Sequence, residues 1–217
     1  MSIMKKIFHI ILILCSFNIY VLGSNKNVKG QNDAFSPISP WTFGAEWSYV
    51  GTFHYSTRFN YFNTEGYRQN ASSDVLGYWN NGEALLHVGY NLSERWNLSV
   101  YAGILGMADI HNALPVSIRA THYFSKDSST KDTWLAFVDL GSGISIKHEP
   151  QEILTGKIGG GYRFSLSPDT KLDFIAAFRL AYTHPQIMDG DDMITLKWTN
   201  RNTAFLQSFS IGMAINF

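Results

Sequence analysis

Residues 54–56 read His-Tyr-Ser, so in an extended chain His54 and Ser56 project from one face. An imidazole two residues from a hydroxyl has the makings of a base–nucleophile dyad, and the pair is a weak candidate for acyl-transfer chemistry. A second cluster is acidic. Asp189-Gly190-Asp191-Asp192 puts three carboxylates in one short segment, and carboxylate oxygens are what Ca²⁺ takes. The spacing departs from that of an EF-hand loop. Loop tips favour Asp and Gly for conformational reasons anyway, so no metal and no cofactor is expected. A third set is ionic and dispersed: Glu46, Glu83, Asp139 and Asp173 against Arg119, Lys157, Arg163 and Arg179, with His87 among them. Such a set makes either a proton or ion path or a structural salt-bridge network. The Gly159-Gly160-Gly161 run is no phosphate loop, because a strand pattern and not a helix follows it.

These residues are positioned by strands. From Trp41 the odd positions carry Trp, Phe, Ala, Trp, Tyr, Gly, Phe and Tyr through Tyr55, while polar or small residues dominate the even ones. The same period of two recurs over 83–92, Trp96–Ile104, Leu114–Phe124, Trp134–Ile144, Leu154–Phe164 and Leu172–Tyr182. It returns in the terminal SFSIGMAINF, where Phe209, Ile211, Met213, Ile215 and Phe217 share one parity. Every member of the ionic set lies on the opposite parity from the apolar rows. Buried charges must be paired or watered, and four acids facing four bases is what a closed polar lumen requires. The connections at 54–82 and 183–202 are long, and those at 93–95 and 166–170 are short. This pattern predicts an all-β fold, an eight-stranded antiparallel transmembrane β-barrel over residues 41–217.

Turn positions set a register. Centring the turn on Pro168 puts Arg163 opposite Asp173, and a turn near residue 129 puts Arg119 near Asp139. Opposite charges at facing positions are favourable. The same register brings Lys157 toward Arg179, a conflict that needs Glu83, Asp139 or water to relieve it. His54 and Ser56 share parity with Glu46 and are expected in the lumen. Alternation continues past Tyr55 to Tyr61, so the first hairpin either projects beyond a membrane or folds back over the barrel. Its segment, rich in Tyr, Phe, Asn and Arg, suits contact with an extracellular partner, for which 54–82 and 183–202 are the expected contact segments.

Composition agrees. Charged residues are 16% and aromatics 15% of the 217 residues, and charge is low for a soluble surface. Lys5 and Lys6 precede an apolar run that ends at Gly23, the pattern of a secretory signal peptide over residues 1–23. A polar, proline-bounded leader follows over 24–40. Removing 1–23 takes away two bases and the only cysteine, Cys15, leaving 15 basic and 17 acidic side chains. The mature chain is then no disulfide scaffold, and nothing in its charge invites nucleic acid.

Over residues 41–217 the chain resembles the small outer-membrane β-barrels of Gram-negative bacteria, the OmpA/OmpX type, in strand number, alternation, loop asymmetry and the terminal Phe217. The resemblance implies a non-enzymatic structural or adhesive protein in outer-membrane lipid and lipopolysaccharide, with both termini periplasmic. It also implies that Phe217 is an assembly signal read by the barrel-assembly machinery. A narrow channel or a lipid-A-modifying enzyme are the alternatives. For the enzyme, His54 and Ser56 would have to face lipid, and the motif of the known barrel deacylases is not matched; His184 lies on the apolar parity without an evident serine partner.

Overall fold

A computed structural model describes residues 40–107, 111–125, 131–146, 151–190 and 192–217. The expected signal peptide and nearly all of the expected leader lie outside the described residues. The chain forms β1 (Trp41–Phe62), β2 (Arg68–Asn91), β3 (Trp96–Met107), β4 (His111–Tyr123), β5 (Thr133–Ser145), β6 (Glu152–Ser165) and β7 (Lys171–Thr183). The short β8 (Ile187–Asp189) and β9 (Asp192–Ile194) pair only with each other, and β10 (Thr199–Asn216) completes the order. Eight strands close into a barrel in the order β1-β10-β7-β6-β5-β4-β3-β2, each pair antiparallel.

Alternation gives the barrel two unlike surfaces. Outward Leu86, Leu140 and Ile211 are 67–70% exposed, whereas inward Glu46 and Asp139 are 3% and 1% exposed. Water would not tolerate this apolar exterior, and a ring of strands satisfies its backbone bonds internally, as lipid demands. Aromatic clusters border the belt. At the turn end Trp134, Tyr162, Phe164 and Phe174 form a chain of edge contacts, and Trp96 leans on His122. Toward the other end Phe53 stacks on Phe209 with centroids 5.1 Å apart.

The seam that closes the ring uses the chain's last residue. Phe217 N donates to Phe43 O at 2.8 Å, and Phe43 N donates to Phe217 O at 3.1 Å. The strands are strongly tilted, as barrel closure requires. Following partners around the wall from Ala45 leads through Leu86, Ala102, Val116, Ser142, Leu154, Tyr182 and Phe205. It returns to β1 at Ser56, far up the same strand.

Three features differ from the sequence-based expectation. The segment 54–82 is not a loop: β1 and β2 stay paired as far as Phe62 and Arg68. The turn between them places Gly66 at φ +84°, a conformation glycine adopts freely, and Tyr67 N donates to Asn63 Oδ1 at 2.7 Å. The 183–202 connection holds the extra β8–β9 hairpin and the start of β10.

The third difference is a β-bulge at Phe53, where the register slips against both neighbours between Thr52 and His54. One extra residue reverses the facing of everything beyond it. Thr52 and Thr57 both face in, although their parities differ. Tyr55, which shares the parity of the apolar row that starts at Trp41, instead packs against buried inward residues including Leu206. His54 and Ser56, expected in the lumen, pair with the outward Gln207 and Phe205.

Candidate functional sites

The lumen holds the ionic set in one connected arrangement. Arg119 of β4 is its hub. Its Nη1 lies 2.5 Å from Glu46 Oε2, its Nη2 donates to Glu46 Oε1 at 3.2 Å, and its Nε donates to Asp139 Oδ2 at 3.0 Å. Glu46 reaches Arg119 from β1, across the lumen, while Asp139 is the direct ladder neighbour on β5. The guanidinium plane also stands over Tyr101 and Phe137, 4.0 and 4.3 Å from the ring centroids. A planar fork with stacking faces does both jobs at once, which lysine's point charge does not.

Lys157 lies beside Arg179 in the register. The like-charge contact is relieved across the lumen: Lys157 Nζ donates to Glu83 at 2.8 and 3.0 Å and lies 3.7 Å from Glu46. Arg179 is buried, and its Nε and Nη1 have no hydrogen-bond partner among the described residues. Nearer the turn end, Arg163 and Asp173 are directly opposite and join in a bidentate pair with both bonds at 2.7 Å. Asn216 Nδ2 donates to the same carboxylate at 3.0 Å, and Tyr123 lies under the Arg163 guanidinium. His87 stacks on Tyr101 with centroids 4.6 Å apart.

Apolar side chains lie on both sides of the charges. Toward the projecting end, Leu105, Met107, Ala113, Ile153, Ala181 and Leu206 form a buried cluster with Tyr55 against it. Toward the turns, Tyr123, Leu135, Phe137, Ile175 and Ala177 form another. An interior of eight strands is just wide enough for such side chains to fill. Reading charge alone misses Tyr101, Tyr123, Phe137 and Asn216. Their signal was available: each lies on the inward parity, where an aromatic ring among polar residues needs a partner such as arginine.

The other candidates are placed as follows. His54 Nε2 lies 3.7 Å from Asp74 Oδ1, and no hydrogen bond joins His54 to Ser56 among the described residues. Asp189 Oδ2 accepts from Thr64 N and Thr64 Oγ1, both at 3.1 Å, which fastens the β8–β9 turn to the tip of the first hairpin. Asp192 sits opposite Asp189, and Asp191 lies outside the described residues. Among the described residues no three metal-ligating side chains converge. His184 packs edge-on against Tyr182, and its Nδ1 meets the carbonyl of Asn202.

Above the barrel, β1, β2 and the first part of β10 continue as a three-stranded blade. β1 is paired on both sides as far as Tyr61, opposite Gln69 and Thr199. β2 pairs with β3 only from Glu83 inward. From Arg68 to Asn80 its second edge therefore has no strand partner among the described residues, and most of its side chains are exposed.

No protein-family model matches the sequence, and no curated protein does. Solved structures similar to it are outer-membrane barrels. Neisserial surface protein A is 12% identical with a TM-score of 0.46, over 82% of this chain and 96% of that one. Outer membrane protein OprG from Pseudomonas aeruginosa is 10% identical with a TM-score of 0.47, over 81% and 95%. Outer membrane protein AlkL is 11% identical with a TM-score of 0.46, over 89% and 96%. Identities this low carry no residue roles across.

Proposed function

We propose that this chain is a non-enzymatic protein of a Gram-negative outer membrane that presents its blade for contacts with macromolecules outside the cell. In this reading it lies in outer-membrane lipid and lipopolysaccharide, its termini are periplasmic, and Phe217 is read by the barrel-assembly machinery. The lumen charges serve as an internal scaffold that lets a polar interior exist between two apolar clusters.

The observation that carries the reading is the length of the first hairpin. A tilted crossing takes about 9–11 residues, whereas β1 runs 22 and β2 runs 24. At about 3.3 Å per residue, β1 alone spans roughly 70 Å. The excess is ordered strand, fastened at its tip through Thr64 and Asp189. A rigid, polar, aromatic-containing edge is a surface that partners engage at low entropic cost.

The test removes the blade and keeps the barrel. Thr57 and Ser73 face each other, so Asn-Gly in place of Arg58–Ser72 gives a two-residue hairpin turn. Cells displaying parent and shortened chains in equal amount are compared for attachment to immobilised fibronectin, collagen and heparin and for attachment to one another. Loss of at least one attachment, with the folded barrel retained on unheated gels, is expected. Equal attachment in every assay overturns the proposal.

One observation favours a second reading. The bulge turns His54 and Ser56 to the outer face, with Asp74 near the imidazole, the facing a lipid-modifying enzyme needs. Mass spectrometry of lipid A from cells with and without the protein separates the two. Unchanged lipid A is expected.

A further inference from the structure

The open edge of β2 is self-complementary. Along 68–74 its outward side chains are Arg68, Asn70, Ser72 and Asp74, with one cation at one end and one anion at the other. In an antiparallel pairing of two such edges centred on Ala71, each Arg68 faces the other copy's Asp74, and each Asn70 faces the other's Ser72. Opposite charges directly across a pair are favourable and like charges are not. Asp74 is 69% exposed on its side chain, 3.7 Å from His54 Nε2, and the exposed Arg68 Nε donates to Asn60 Oδ1 at 3.1 Å within the same hairpin. Both heads remain at the surface.

Among the described residues the edge also lacks the usual defences. Natural edge strands are blunted by proline, by crowded charge or by a cover. Residues 68–80 contain no proline and only these two charges. The bulge beside Gly77 lies outside the self-complementary stretch.

The geometry points to a second copy of this chain as the partner, joined edge to edge through residues 68–74 of β2. This rests on the reading of the blade as an extracellular contact surface. Antiparallel pairing turns the partner's tip toward the first copy's barrel, with Gly66 of one level with Leu76 of the other. The two barrels then lie at opposite ends of the joined blades. They belong to two facing membranes, and the contact is an isologous one between cells.

The register permits a test by mutual rescue. Full-length chains are reconstituted into phosphatidylcholine vesicles, in two populations carrying different dyes, and tethering is read as dye co-localisation. Parent vesicles should tether. Arg68→Asp sets an acid against Asp74 in the pairing, and Asp74→Arg sets a base against Arg68, so each variant alone should lose tethering. A mixture of the two populations should recover it. One chain then carries acids at both positions and the other carries bases at both, so every facing pair is again of opposite sign. Unheated gel migration confirms that both variants hold the barrel. Rescue in the mixture supports the pairing; tethering by either variant alone, or a mixture no better than its parts, overturns it. If the charge variants tether as the parent does while the Asn-Gly hairpin does not, the blade remains a contact surface and its partner is not a second copy through this edge. If the shortened chain also tethers, the blade plays no part in that contact.

Discussion

Replacing Asp173 with alanine removes both 2.7 Å bonds to Arg163 and the bond from Asn216. The position near the turn end of the lumen argues for water and a small loss, since exposed pairs contribute about 0–1 kcal/mol. The burial argues otherwise: both side chains are only 8% exposed. Breaking a buried pair costs about 3–5 kcal/mol, because the partner's charge is left stranded. Arg163 keeps its contact with the Tyr123 ring, so about 3 kcal/mol is expected, toward the lower end of that range. Arg163→Ala should cost a similar amount, with Asp173 retaining Asn216. The double change strands nothing further, so the coupling between the two sites should be about 2–3 kcal/mol. Replacing both by Met and Leu should come within about 1 kcal/mol of the parent, since an apolar pair of similar volume carries no desolvation cost. Reversible urea unfolding from lipid vesicles measures all four. A coupling below about 0.5 kcal/mol refutes the reasoning, because it means water screens the pair despite its burial.

Three further outcomes are expected. Deleting Phe217 removes the two backbone bonds to Phe43 that end the seam and should lower the amount of heat-modifiable protein in cells; unchanged amounts contradict its role in assembly. Gly44→Leu should block closure, because a Cβ there would run into the Ile215 carbonyl oxygen and the His87 ring, whereas Gly82→Leu, with nothing within 4 Å of its Cβ, should fold as the parent does; equal folded fractions for the two contradict the packing. A cysteine at Ser56 should react with a maleimide in the folded protein and one at Tyr55 should not, and the reverse pattern removes the bulge.

The barrel was legible because its signal is redundant. Eight rows repeat one rule, and an error in any one of them leaves the others standing. The Arg163–Asp173 and Arg119–Asp139 registers were legible for a different reason: each pair lies on consecutive strands, so counting from the turn suffices. Counting breaks down where information lies across the ring. Glu46 meets Arg119 and Lys157 meets Glu83 over the lumen. That depends on strand stagger, which no single hairpin reveals.

The failure at His54 and Ser56 has a sharper cause. A bulge adds one residue without any change in composition, and the chain on either side of Phe53 alternates as cleanly as before. Parity read from Glu46 therefore carries across the bulge and assigns the wrong face to every residue beyond it. The reversal matters to the fold as much as to the site. It turns Tyr55 inward against the cluster around Leu206. It leaves Phe53 outward beside Phe209 and Phe178. On β2 the alternation is unbroken, and Asp74 and Arg68 keep the outward parity of Leu86 and Val88. One inserted residue thus separates a strand that serves the membrane from a strand that serves what lies beyond it. The self-complementary edge of β2 lies beyond the level of that insertion.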